Sequence, residues 1–257
     1  MKVGGRAYKN GVRLFGENYS VKAYYEDNKL KYEVGKNTLA NNKIFLFFKK
    51  IPVLRGVMSI LFSLINFFKE MTKQPTKYWP ILLLIFINIA LEVYFQLVPQ
   101  GSSNLFVRAA NLNISVYITV FMLIFLLLRA TLLKEVFQFH GAEHKAVNYY
   151  EANFQGDFNA QSRLARRCGT NLIVFYLFII FLLESLGLTF NVYLESLMAL
   201  GIAYEIILAS PKLVLTIPYL IQKLTTIEPD PKHLKASKLA LKILLDVEKR
   251  KQETVIT

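Results

Sequence analysis

The sequence predicts a mainly α, polytopic membrane protein. It should have about four transmembrane helices, a small N-terminal cytosolic β unit and a C-terminal amphipathic helix. Three observations predict this. The 54% of hydrophobic residues is gathered into blocks of membrane-spanning length rather than spread along the 257 residues. The first 42 residues are polar, basic and turn-rich. The last thirty or so place leucines at helical spacing among lysines.

Residues 1–42 form the expected cytosolic β unit. "YSVKAYYEDNKLKYEVG" has two strand-like runs, Tyr19–Tyr25 and Leu30–Val34, around Asp27-Asn28, which reads as a hairpin. "VGGRAYKNGVRLFG" supplies another strand or two between glycines. Residues 43–74 read as an interfacial amphipathic helix. Lys49, Lys50, Pro52 and Arg55 interrupt its first half, and a helix from about Pro52 gathers Val53, Val57, Ile60, Leu61 and Leu64 on one face.

The membrane domain is expected over 75–224. Its spans are 78–98, with Tyr78 and Trp79 as an interfacial anchor and Glu92 inside it, 116–133, ending near Arg129, 172–188, and 193–209, interrupted by Glu195 and Glu205. Residues 211–224 are apolar but broken by Pro211 and Pro218, as in an interfacial segment. Residues 225–257 form the cytosolic C-terminal helix, with Leu234, Leu239, Leu241 and Leu245 at helical spacing, packed on the β unit or on the membrane.

Charge sets the orientation. The connection 99–114 carries only Arg108, and 189–192 carries no cation. The connection 134–170 carries Lys134, Lys145, Arg163, Arg166 and Arg167, and both termini are basic. That pattern predicts a multi-pass cell-membrane protein with both ends and the loop 134–170 in the cytosol. A net charge of +13 fits anionic lipid headgroups at that face of the bilayer, and no basic-aromatic motif argues for nucleic acid. The single cysteine excludes an intramolecular disulfide, and the N-terminus lacks the apolar core of a cleavable signal peptide.

Three constellations carry chemistry. "HGAEH" puts His140 and His144 four residues apart, one helical face, where two imidazoles can hold one divalent metal, zinc first. Glu143 between them has the place of a general base, and Lys145 follows as a second candidate catalytic group. The string matches H-x-x-E-H, an inverted zinc-protease signature, although Gly141 weakens the helix that this geometry needs. Alternatively, the stretch is a helix end whose His and Lys meet water and headgroups. "RRCGT" places Cys168 beside Arg166 and Arg167, which favour a thiolate able to bind metal; the alternative is a small buried cysteine between snorkelling arginines. Glu205 in "IAYEI" needs a metal or a cation, such as an arginine of "RRC". Glu228 in "TTIEPDP" reads as part of a capped turn.

"FHGAEHKAVNYYE", "RRCGT", "GIAYEI" and "LIQKLTTIEPD", in this order, resemble the YqhQ-like bacterial membrane proteins, and "GGRAYKNGVRLFG" resembles a weakened form of that family's glycine-rich opening. The family has no known function and is described as predicted metal-dependent enzymes. Of the positions that the resemblance marks, this chain keeps His140, Glu143, His144, Lys145, Cys168, Gly169, Thr170, Glu205 and Glu228. This chain departs from the family pattern at Ala165, where a histidine is expected, at Arg6 and Asn10, where a glutamine and a glutamate are expected, and at Tyr149, where cysteine is common.

Two functions follow. The altered positions favour a non-enzymatic membrane factor that binds a protein partner or anionic lipid through its basic cytosolic face. The alternative is a metal-dependent membrane hydrolase in which His140, His144 and Cys168 or Glu205 hold the metal and Glu143 acts as base.

Overall fold

The structure, a computed structural model, describes residues 1–37, 43–73, 75–97, 113–188, 191–211 and 213–256. It is mainly helical, with a four-stranded antiparallel sheet at the N-terminus. The strands are β1 (Gly4–Tyr8), β2 (Gly11–Phe15), β3 (Tyr19–Glu26) and β4 (Lys29–Lys36), paired in sequence order. The helices are α1 (Lys43–Phe48), α2 (Leu54–Lys73), α3 (Pro75–Leu97), α4 (Ile114–Ala130), α5 (Lys134–Glu151), α6 (Gly169–Ser185), α7 (Val192–Ala209), α8 (Thr216–Thr225) and α9 (Pro231–Ile256). The expected connection 99–114, with Arg108, lies outside the described residues except at its last two positions.

The chain divides into two compact units, Met1–Ser59 with Leu128–Thr257, and Ile60–Leu127. The second contains most of α2 and α4 and all of α3. Its surface is apolar: Leu84, Phe86, Phe121 and Leu127 are each about two-thirds exposed.

In the first unit the predicted hairpin is present. Asp27 and Asn28 both adopt positive φ (50° and 59°), the two-residue turn that matches strand twist. Alternation along β2 and β3 puts Val12, Leu14, Val21 and Ala23 on one fully buried face. Two helices cover that face. α9 contributes Ala236, Ala240, Leu241 and Leu244, and α5 contributes Phe139, Ala146 and Val147. The C-terminal amphipathic helix thus spends its apolar stripe on the sheet.

Glu248 of α9 fastens this layer. Its Oε1 accepts the main-chain N–H groups of Asn18 (2.7 Å) and Tyr19 (2.9 Å), and its Oε2 accepts Asn18 Nδ2 (2.8 Å). Farther along, α7 packs on the start of α2. Glu205 accepts the Val53 N–H (3.0 Å) and Arg55 Nε (2.8 Å), so the cation it needs comes from Arg55, not from the "RRC" turn.

Among the described residues one helix, α7, is long and apolar enough to cross a membrane alone, with mean hydropathy 1.6 over 18 residues. Ser115–Ala130 and Lys134–Glu151 meet that standard only as a pair and are bent by 76° at the break. Leu82–Tyr94 and Gly169–Ser185 are apolar but shorter. By this standard the expected four spans reduce to one, or two if the bent pair counts.

Glu248→Ala leaves the Asn18 and Tyr19 amides without their acceptor and should cost about 2 kcal/mol, read as a fall in Tm of the full-length protein in detergent. Asp246→Ala, at an exposed position of the same helix, should change stability by less than about 0.5 kcal/mol.

Candidate metal centre

α5 is an unusual helix for its composition. Seven consecutive residues, Gly141–Val147, are buried, and they include Glu143, His144 and Lys145. Burial on all sides follows from its position: the sheet lies on one face, and a strap, 225–230, formed by the last residue of α8 and the irregular chain after it, runs along another. The strap is close. A Cβ at Gly141 would meet the Ile227 carbonyl oxygen at 2.4 Å. Gly141 therefore does not break the helix; it admits the strap, whose Ile227 N–H bonds to Phe137 O at 3.0 Å.

Each buried polar group of α5 must find a partner. Gln138 Nε2 donates to Asp230 Oδ2 at 2.9 Å. Asn148 Nδ2 donates to the carbonyls of Ser162 and Leu164. Lys145 donates to Asn159 O (2.6 Å) and pairs with Glu228 (2.7 Å). His140 Nδ1 lies 2.9 Å from Thr225 O, and His144 Nδ1 lies 2.7 Å from Arg163 O. A carbonyl only accepts, so in the neutral rings both Nδ1 atoms carry the proton. The lone pair is then on Nε2 in both rings, facing Cys168 Sγ from His140 and Glu143 from His144, the tautomer in which histidine ligates a metal through Nε2 with its second nitrogen held.

Cys168 completes the cluster. It sits at the N-terminal cap of α6 with extended backbone. Its approach is set by Asn171 and Gln222, both fully buried. Asn171 Nδ2 donates to the carbonyls of Ala165 and Arg166, while Gln222 accepts the Ala165 N–H and donates to the Ala165 carbonyl. His140, His144 and Cys168 bring one ligand atom each to within 4.8 Å of one another, a group that could hold a metal ion. Cys168 Sγ is 3.6 Å from His140 Nε2. Two such ligands on a tetrahedral zinc, with bonds of about 2.3 and 2.0–2.1 Å, stand about 3.5–3.6 Å apart.

Burial raises the Cys168 thiol; the hydrogen bond and positive charge that His144 supplies when its ring is protonated, with the Thr170 N–H and hydroxyl, pull it the other way and leave it below its ordinary value. Both histidines face Sγ: His140 Nε2 lies 3.6 Å from it, and His144 supplies the downward pull. Glu143 lies beside them, its Oε2 3.5 Å from His144 Nε2. Its carboxyl is covered by β1, where a Cβ on Gly5 would meet Glu143 Oε1 at 2.3 Å. Burial pushes the Glu143 pKa from 4.5 up to about 7, against a smaller downward pull from His140.

Two cavities open on the cluster. One of about 430 Å³ is lined by Gly5, Arg6, Ala7, His140, Glu143 and Cys168. Another of about 220 Å³ is lined by Lys2, Glu143, His144, Ala165, Arg166 and Arg167. Gly5 and Glu143 belong to both.

The structure therefore brings together His140, Glu143, His144 and Cys168 of the residues expected from sequence. Lys145 and Glu228 pair with each other on another side of α5, and the Glu205 carboxylate is taken up by Arg55 and Val53. Ala165 lines the cavity beside His144, whereas Asn10 is in the β1–β2 turn, bonded to Tyr25 O. Tyr149 packs edge-on against Phe154 and Phe158. Sequence reasoning missed Gly5, the carbonyls of Arg163 and Thr225, and the Asn171–Gln222 brace. Only the brace had a signal, two amides inside apolar runs.

A Glu143 pKa above its ordinary value means that folding favours the protonated acid. That contribution, about 3 kcal/mol, is complete below pH 4.5 and is lost as pH rises to about 7. The buried, depressed His233 acts in the opposite sense, losing stability as pH falls below 6.5. The difference between proteins isolates Glu143: metal-free Glu143→Gln should match the wild type near pH 4.5 and exceed it above pH 7 in chemical denaturation. Parallel pH curves would contradict the assignment.

This chain is similar to "Uncharacterized protein YqhQ" of Bacillus subtilis (strain 168), 27% identical over 296 residues, covering 95% of this chain and 92% of the relative. No solved structure matches. The family profile described as "Protein of unknown function (DUF1385)" matches residues 50–247, from the α1–α2 turn through most of α9 and including every member of the cluster. The chain belongs to the DUF1385 family.

Proposed function

We propose that this protein is a multi-pass membrane hydrolase with a divalent metal, zinc first, held at the cytosolic membrane face by His140, His144 and Cys168. What supports the reading is one observation: both imidazoles hold main-chain carbonyls through Nδ1, while one ligand atom from each ring and the Cys168 thiol converge. Three protein ligands are the count of a catalytic zinc site, which keeps a position open. The missing histidine at Ala165 is then not needed for the shell.

When bound, the metal supplies a Lewis acid for the substrate and for water. The rest is done by the chain. Glu143, buried and 3.5 Å from His144, would take a proton from water and return it to the leaving group. Cys168 and the two histidines fix the centre, and the strap 225–230 and Arg163 fix the histidines. The membrane part rests on the apolar surfaces of α3, α4, α6 and α7, and the orientation, with both termini cytosolic, on the basic connection 134–170.

A second reading keeps the same cluster without chemistry. The chain is then a membrane factor whose +13 charge binds anionic lipid headgroups or a protein partner. The observation in its favour is the outer face of the sheet, where Lys22 lies over the rings of Tyr8 and Tyr24.

Elemental analysis separates the two. The full-length protein in detergent should carry one zinc per chain, His144→Ala and Cys168→Ala should lose it, and Glu143→Gln should keep it. Wild-type protein that stays metal-free after zinc loading would overturn the hydrolase reading and leave the second.

A further inference from the structure

β1 is an edge strand, and it borders the larger cavity. Its hydrogen-bonding parity is fixed by the sheet. Tyr25 N–H bonds to Asn10 O and Gly16 N–H to Tyr19 O, so the even-numbered residues of β2 face β3. Gly11, Arg13 and Phe15 then face β1, where their partners are Tyr8, Arg6 and Gly4. Gly5 and Ala7 turn the other way. Their N–H and C=O groups point out of the sheet along its open edge, and no described residue pairs with them.

Gly5 and Ala7 line the same cavity as His140, Glu143 and Cys168. A row of unpaired main-chain groups is a template for one more strand. The surroundings are cationic: Arg6 borders this cavity, and Lys2, Arg166 and Arg167 border the adjoining one. Glu151, paired with Arg167, is the only carboxylate besides Glu143 on these walls.

We propose that the β1 edge at Gly5 and Ala7 docks an extended peptide with acidic side chains, and that this peptide is the substrate class of the centre. The proposal rests on the hydrolase reading for its chemistry. One water is consumed: its oxygen adds to the peptide carbonyl carbon, the C–N bond breaks, and Glu143 carries the proton to the departing amine. The docking itself depends only on the strand edge and the cations beside it.

The test uses full-length zinc-loaded Glu143→Gln, which binds without turnover, and a fluorescein-labelled nonapeptide of alternating valine with aspartate or glutamate. Fluorescence anisotropy should show binding at least about tenfold tighter than for the lysine analogue. N-methylation at alternate peptide nitrogens should weaken binding about tenfold or more in one parity and little in the other, the scale of one or two lost interstrand hydrogen bonds. Ala7→Pro removes an outward N–H from an edge strand that tolerates proline, and should weaken binding similarly while zinc content stays at one per chain. Binding indifferent to N-methylation and to Ala7→Pro, or displaced by glycerol 1-phosphate, would overturn the proposal in favour of a phosphate headgroup site. A zinc-loaded protein that binds none of the peptides would overturn it too, with the hydrolase reading standing. Parity-dependent binding by a protein that takes up no zinc on loading would keep the docking edge and sink the hydrolase.

Discussion

Burying a polar helix is the constraint from which the rest follows. α5 carries glutamine, glutamate, two histidines, lysine and asparagine, and its middle is enclosed by protein. Each such group left without a partner costs on the order of 1–3 kcal/mol. The protein answers with main-chain carbonyls of the nearby stretch 159–164 and with carbonyls and carboxylates of the strap 225–230, far away in sequence. Gln138 Nε2, Lys145, Asn148 and both Nδ1 atoms are matched in this way, while Gln138 Oε1 stays buried without a partner among the described residues. The two histidine rings, the Glu143 carboxyl and the facing Cys168 thiol are left to one another, and they lie together. A centre able to take a metal is thus what remains of a helix whose other polar groups, Gln138 Oε1 excepted, turn to main chain and to charged partners.

The scaffold explains why this geometry is specific. Asn171 and Gln222 hold the main chain at Ala165 and so set where Cys168 enters at the head of α6. The strap holds His140, and the Arg163 carbonyl holds His144. Gly5 lets β1 lie directly on Glu143, which removes water from the carboxyl and raises its pKa. The sheet therefore has two roles. Its buried face forms the core with α5 and α9, and its β1 edge forms a wall of the larger cavity. Ala165, where the family resemblance leads one to expect histidine, removes a possible fourth ligand without touching the three that converge.

Much of this was legible in the sequence where the signal is local. Asp27-Asn28 between two aromatic and β-branched runs gave the hairpin, because a two-residue turn needs residues that accept positive φ. The spacing of His140 and His144 put them on one helical face, and the leucines of 234–245 gave the last helix. What was hidden depends on tertiary contacts, most of them across more than fifty residues. Nothing local says that Lys145 turns to Glu228 or that Glu205 takes Arg55. Gly141 reads as a helix breaker until the strap that needs the space is seen beside it. The apolar runs are equally ambiguous: 193–209 emerges as a helix of crossing length, while the run ending in α4 is bent sharply into a helix that serves the polar core.

The central claim is that two Nδ1-anchored histidines and one thiolate converge on a metal. X-ray absorption at the zinc edge of the zinc-loaded, full-length protein tests it most directly. The account predicts a first shell with one sulfur at about 2.3 Å and the remaining ligands, nitrogen or oxygen, at about 2.0–2.1 Å, with imidazole scattering from two rings. A shell of oxygen alone, without sulfur or imidazole, would contradict it.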